Sequence, residues 1–126
     1  MSEHPNATMV RHMNDAMSAG DFQALNEALA DDVVWHEIGL AEPIRGKAAL
    51  NARYMGDTPP DYTITAETHD VVASDDHTIA LVTATATRGG KTFTYRTAEI
   101  LHIKDGKIVE RWAFSDDTDA INKFFA

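Results

Sequence analysis

Between Tyr62 and Phe114 the chain reads as four extended segments whose connectors are too short for anything but hairpins. The segments run from Tyr62 to Ala73, Thr78 to Arg88, Lys91 to Lys104 and Lys107 to Phe114, and the connectors are Ser74-Asp75-Asp76-His77, Gly89-Gly90 and Asp105-Gly106. Gly-Gly and Asp-Gly supply the positive φ that two-residue hairpin loops demand. An antiparallel meander follows, and one of its faces has to be covered by something apolar.

The cover precedes it. Ala7, Val10, Met13, Ala16 and Met17 recur at spacings of three and four, which predicts a helix from about Asn6 to Ser18. Ala19-Gly20-Asp21 stops that helix and starts a second over Phe22, Leu25, Ala28 and Leu29, ending before Asp31-Asp32. Val33 to Gly39 is short and rich in β-formers, so it is read as the first strand. Glu42-Pro43-Ile44-Arg45-Gly46 is read as a turn, Lys47 to Met55 as a third helix, and Asp57-Thr58-Pro59-Pro60 as a breaker. Asp119 to Phe125 closes the chain as a short helix or extended tail carrying Ile121, Phe124 and Phe125. Helices first and a meander afterwards give an α+β class, with helices on one face of the sheet and one domain over residues 1–126.

Composition narrows the function classes. There is no cysteine, which removes thiol nucleophiles, disulfides and thiolate metal sites. The net charge of −9, with scattered basic residues, argues against nucleic-acid and membrane partners. Met1 to Asn6 lacks the basic and apolar regions of a signal peptide, so a cytoplasmic protein is expected. His12, His69, His77 and His102 have no convergent spacing, so neither a metal site nor a cofactor is expected.

The pieces Ala19-Gly20-Asp21-Phe22, Ala30-Asp31-Asp32-Val33-Val34-Trp35, Ile44-Arg45-Gly46-Lys47-Ala48-Ala49-Leu50 and Asp105 to Trp112 stand in an order that resembles the SnoaL-like branch of the nuclear transport factor 2 superfamily. The resemblance spans Met9 to Phe125 and implies a cone-shaped, curved, mostly antiparallel sheet with the N-terminal helices packed on its concave side. That superfamily hosts ketosteroid isomerases, polyketide cyclases, epoxide hydrolases, dehydratases and non-catalytic proteins, so the likeness implies a fold more than a function. Laid on the ketosteroid isomerases, it places His36 at the catalytic base, Tyr54 at a supporting tyrosine, Glu99 at the acid of the oxyanion hole and Met13 where their principal tyrosine stands. Laid on the polyketide cyclases, it places Asp116 at an acid or base after the last strand.

The residues themselves can be read without the resemblance. Alternation puts His36 with Val34 and Ile38 on the face opposite Trp35 and Glu37. If that face is interior, an imidazole with its ordinary pKa of about 6.5 suits a general base. The other readings are a histidine bonded to a backbone carbonyl at the core edge, or a register slipped so that it faces solvent. Glu99 shares a face with Phe93, Tyr95, Thr97, Leu101 and Ile103, and is either a catalytic acid or half of a pair with Arg96, Arg111 or Lys91. Asp116, in Ser115-Asp116-Asp117-Thr118-Asp119, is a site acid or a helix cap. Trp35, Tyr54, Tyr95, Trp112 and Phe114 are read as lining or closing an apolar pocket.

Two functions are compatible with this. One is cofactor-free acid–base chemistry, such as isomerisation, cyclisation or dehydration, on a small hydrophobic carbonyl compound, with His36 as base and Glu99 or Asp116 as acid. The other is a non-catalytic module that binds apolar ligands or dimerises. A homodimer through the outer, convex face of the sheet is expected, because Thr78 to Thr87 alternates Thr and Ala that pack flat.

Overall fold

The computed structural model describes residues 3–54, 56 and 60–126. The elements are α1 (Pro5–Ser18), α2 (Phe22–Ala28), β1 (Leu29–Trp35), β2 (Ile44–Arg45), α3 (Lys47–Tyr54), β3 (Tyr62–Ala73), β4 (Thr78–Arg88), β5 (Lys91–Lys104), β6 (Lys107–Ser115) and α4 (Thr118–Phe125). The six strands form one curved sheet in the order β2-β1-β6-β5-β4-β3, antiparallel except where β1 runs parallel to β6. The architecture is the expected α+β one. The expected end of the third helix at Met55, and the breaker except for Pro60, lie outside the described residues.

Short-range chemistry accounts for the elements. His4 Nδ1 accepts from the Asn6 amide at 3.1 Å and Pro5 opens α1, where a missing N–H costs nothing. Asp21 caps α2 through the Gln23 amide at 3.2 Å, and Asp117 caps α4 through the Ala120 amide at 3.0 Å. Asp105 and Gly106, with φ of 52° and 74°, make the primed turn between β5 and β6 that their dipeptide foretells.

The meander registers fix which residues share a face. Ala80 pairs with Glu99 and Val71, Glu99 with Ala113, and Leu101 with both Thr78 and Arg111. Val71, Ala80, Val82 and Leu101 are buried, and they share one core cluster with Ala7, Val10 and Met13 of α1. That is the concave face, and α1 covers its β3–β4 half. Ser18 Oγ clamps the end of α1 to β3, donating to the Ala66 carbonyl at 2.6 Å and accepting the Ala66 amide at 3.1 Å. A second cluster, of Ala84, Ala86, Tyr95 and Ile121 with Ile38, Phe93, Phe124 and Phe125 against it, brings α4 back over the same face.

Boundaries around β1 differ from the sequence reading, and Leu29, expected in the second helix, opens the strand instead. β1 begins at Leu29 and ends at Trp35, not from Val33 to Gly39, because its pairing to β6 starts at Leu29–Ile108 and shifts register before Val34–Glu110. His36 and Glu37 therefore lie just beyond the strand. Ile44-Arg45, read as part of a turn, is the strand β2, since Trp35 and Val34 offer it an open edge. Gly39, at φ 92°, turns the chain where a Cβ would run into the side chain of Asn122, so α4 packs tightly on this turn.

Candidate functional site

Trp35 pairs with Arg111 across β1 and β6, and Arg111 pairs with Leu101 across β5 and β6. All three therefore belong to the concave face, and Glu99 joins them two residues along β5. The Arg111 guanidinium donates to Glu99 Oε2 from Nη2 at 3.1 Å and from Nε at 3.3 Å, and from Nη1 to the His36 carbonyl at 3.2 Å. Its carbon lies 4.4 Å from the centre of the Trp35 ring. Glu99 is thus one half of an ion pair, and Arg111 is the partner among the three cations that the sequence offered.

Next to this pair stands a second one. The phenol of Tyr54 donates to Glu37 Oε1, and Arg53 holds both oxygens of the same carboxylate, its Nε at 3.0 Å from Oε1. Burial, and then the charge of Glu37, push the Tyr54 phenol well above the ordinary tyrosine value, so it stays neutral. Tyr95 is raised as well, chiefly by burial, and feels the charges of Arg111, Glu99 and Glu37. Arg111 ties Glu99 to Trp35 and to the His36 carbonyl, Glu37 ties Tyr54 to Arg53, and the phenols of Tyr54 and Tyr95 both feel the charges of Arg111 and Glu37. The indole N–H of Trp35 is buried and has no acceptor among the described residues.

His36 is elsewhere, which corrects the expectation that it shares the interior face. Its ring stacks on Trp112 with centroids 5.2 Å apart and planes 4° from parallel, and its Nε2 lies 2.9 Å from Glu110 Oε2. Glu110 pairs with His102, and Trp112 with Ile100, residues that alternate with Leu101 and so lie on the outer face. The physical reason is plain: both faces of Val33 to Ile38 are apolar enough to be inside, and the larger Trp35 took the interior. Trp112 and Phe114 lie on that outer face as well. They line an outer groove of about 460 Å³ with His77, Ile79, Ile100 and His102, and Phe114 is 59% exposed.

Asp116 also stands apart from the group. It is exposed, its Oδ1 accepts from the Arg96 amide and its own amide donates to the Arg96 carbonyl, both at 3.1 Å, so it prolongs the β5–β6 ladder. The helix cap foreseen in this acidic run is Asp117. Tyr54, Tyr95, Trp35 and Glu99 are thus brought together on the concave face, and His36, Asp116, Trp112 and Phe114 are not. Glu37 and Arg53 were missed. Their signal was available, since Glu37 alternates with Trp35, but only the inward choice of Trp35 gives it meaning. Among the described residues no three of His, Cys, Asp and Glu converge as metal ligands do.

Comparison with known proteins agrees with the topology. The family model described as a SnoaL-like domain matches residues 10–111. An uncharacterized protein of Mycobacterium tuberculosis is 30% identical over 132 residues, with all of both chains covered. Among solved structures, Bal32a from a soil-derived mobile gene cassette is 28% identical with a TM-score of 0.80, over 96% of each chain. An NTF2-like protein of Burkholderia pseudomallei is 21% identical with a TM-score of 0.84, over 100% of this chain and 99% of that one. A putative polyketide cyclase of Xanthomonas campestris shares the fold at 18% identity and a TM-score of 0.76, over 94% and 92%.

Proposed function

This chain belongs to the SnoaL-like family, and from that premise we propose that it is a cofactor-free acid–base enzyme acting on a hydrophobic carbonyl compound bound at the concave face. The observation that carries the reading is the hydrogen bond from the neutral phenol of Tyr54 to Glu37. A carboxylate and a neutral donor in contact can address neighbouring atoms of one ligand. Glu37 takes a proton α to the carbonyl, and Tyr54 turns its O–H to the oxygen on which negative charge develops. Arg111 adds a fixed positive charge, with Glu99 holding it in place, and Trp35 offers an unspent N–H. The base role that the family likeness gave to His36 passes to its neighbour on the inward side.

A second reading is favoured by a specific observation. Both carboxylates of the proposed site are already paired, Glu37 with Arg53 and Glu99 with Arg111, as they would be in a non-catalytic binding module. The experiment that separates the two follows hydrogen–deuterium exchange at the α-carbon of a panel of apolar cyclic ketones by NMR. Exchange that depends on the protein and disappears in Glu37→Gln supports the enzyme. Saturable binding of the same ketones without exchange in any of them overturns it in favour of the module.

The same reading makes the protein a single cytoplasmic domain that pairs with a second copy through the outer face of the sheet. Phe114, Val72 and Leu81 are 59%, 54% and 38% exposed there, beside the groove of Trp112 and Ile100. Exposed apolar side chains gathered on one sheet face are what an isologous interface buries.

A further inference from the structure

The concave face has a second region that the acid–base reading does not use. Arg88 and Lys91 are paired across the Gly89-Gly90 turn, and their registers put both on the face of Ala86 and Phe93. With Phe93, Ala120, Lys123 and Phe124 they line a cleft of about 580 Å³ between the β4–β5 hairpin and α4. Its floor is aromatic: Phe93 stacks on Phe124 with centroids 5.3 Å apart and on Tyr95 at 5.5 Å. Its rim carries the cations Arg88, Lys91 and Lys123, together with Ala126, whose backbone oxygen accepts from Arg88.

The charge of that rim runs against the rest of the chain. The sequence has 20 acidic and 11 basic residues, yet the side chains lining this cleft include three cations and no Asp or Glu. Arg88 is engaged by Asp61 at 3.0 Å and by the carbonyl oxygens of Phe124 at 3.1 Å and Ala126 at 2.7 Å. Lys91 and Lys123 have no ion pair among the described residues. Two unengaged ammonium groups over an apolar floor in an acidic protein select a ligand that is apolar with one anionic end.

We propose that this cleft binds an amphipathic carboxylate, its hydrophobic body on Phe93 and Phe124 and its carboxylate between Lys91 and Lys123. The assignment is independent of the catalytic reading, because none of the residues lining the cleft belongs to the group around Glu37 and Glu99, Tyr95 touching it only from beneath Phe93. A carboxylate here also bears on α4, whose Lys123 and Phe124 form one wall.

The test uses 4-phenylbutyrate and its uncharged analogue 4-phenylbutanol, with binding followed by amide chemical shifts on the full chain. Phenylbutyrate is expected to shift the amides of Gly89, Lys91, Phe93 and Phe124 and to bind about tenfold more tightly than the alcohol. The double substitution Lys91→Gln, Lys123→Gln keeps the side-chain stems and removes both charges. It is expected to weaken phenylbutyrate by about tenfold and phenylbutanol by less than about twofold, at the scale of two exposed ion pairs. Raising the salt from low to molar concentration should erase most of the difference. Equal affinity for acid and alcohol, an unchanged affinity in the double variant, or shifts confined to Tyr54, Glu99 and Arg111 would each overturn the proposal. Because both lysines are surface residues, an unchanged amide spectrum of the free double variant secures the comparison.

Discussion

Two paired carboxylate contacts stand one residue apart along β6 and face opposite ways. Arg111 turns inward to Glu99, each side chain 13% exposed, whereas Glu110 turns outward to His36, at 30% and 34%. Both sit beside a tryptophan, Trp35 within and Trp112 without. The pairs differ in sequence separation, 12 residues against 74, and in the partner of the carboxylate, and they differ again in how far each is exposed to water. A pair held away from water leaves a costly orphan when one partner goes, while an exposed pair is screened and contributes little. The inner pair is therefore a fixed piece of the interior, and the outer one belongs to a surface that can be covered.

The largest effect expected is on stability. Arg111→Ala leaves Glu99 buried without a counter-charge and should cost about 3 kcal/mol or more in urea unfolding, whereas Glu110→Ala should cost less than about 1 kcal/mol. Equal costs would break the comparison. Next comes turnover on a ketone that the exchange assay has identified. Glu37→Gln should slow it by about a hundredfold, or about 2.7 kcal/mol, while His36→Ala should stay within about threefold of the parent. A His36→Ala enzyme that is as slow as Glu37→Gln would return the base to the outer face.

A smaller change tests the outer surface itself. Phe114→Lys sets a charge in the middle of the exposed apolar face and should weaken self-association by about tenfold or more, read by sedimentation as a shift toward the 13.9 kDa species. If the parent chain already sediments at that mass at micromolar concentration, the outer face has no partner copy. The smallest effect comes with alkali. Tyr54 and Tyr95 have raised values in the folded protein, so they hold their protons after an unfolded tyrosine, at about 10, has lost its own. Their contribution is complete below about pH 10 and is lost as the pH rises beyond it. Absorbance at alkaline pH should show two phenols that ionise late, and Tyr54→Phe should remove one of them.

The meander was legible because its hairpins are set locally. Gly89-Gly90 sets the β4–β5 turn and the register of that pair follows from it, while Asp105-Gly106 sets the β5–β6 turn, beyond which the register shifts between His102 and Ile103. The face of Glu99 was legible too, because Leu101 and Tyr95 are plainly apolar neighbours and only one side of β5 could be buried. The strand β2 was not legible: two residues carry no period, and Ile44-Arg45 becomes a strand only where the edge of β1 passes.

What the sequence determined alone was the order of the helices and of the meander strands and the alternation of side chains along each strand, while the pairing of Glu99 with Arg111 was one of the alternatives it left open. Which side of β1 is the inside was decided by tertiary structure. By alternation Val33, Trp35 and Glu37 would take one side and Val34, His36 and Ile38 the other, each with two apolar residues and one ionisable one, so local hydrophobicity is balanced; in the structure the strand ends at Trp35 and Ile38 turns back onto the second core cluster. Packing breaks the tie, since Trp35 fills the space over Arg111 and beside the core under α1, and His36 finds Trp112 and Glu110 outside. Alternation is a property of the backbone, but its phase relative to the core is a property of what packs against the sheet.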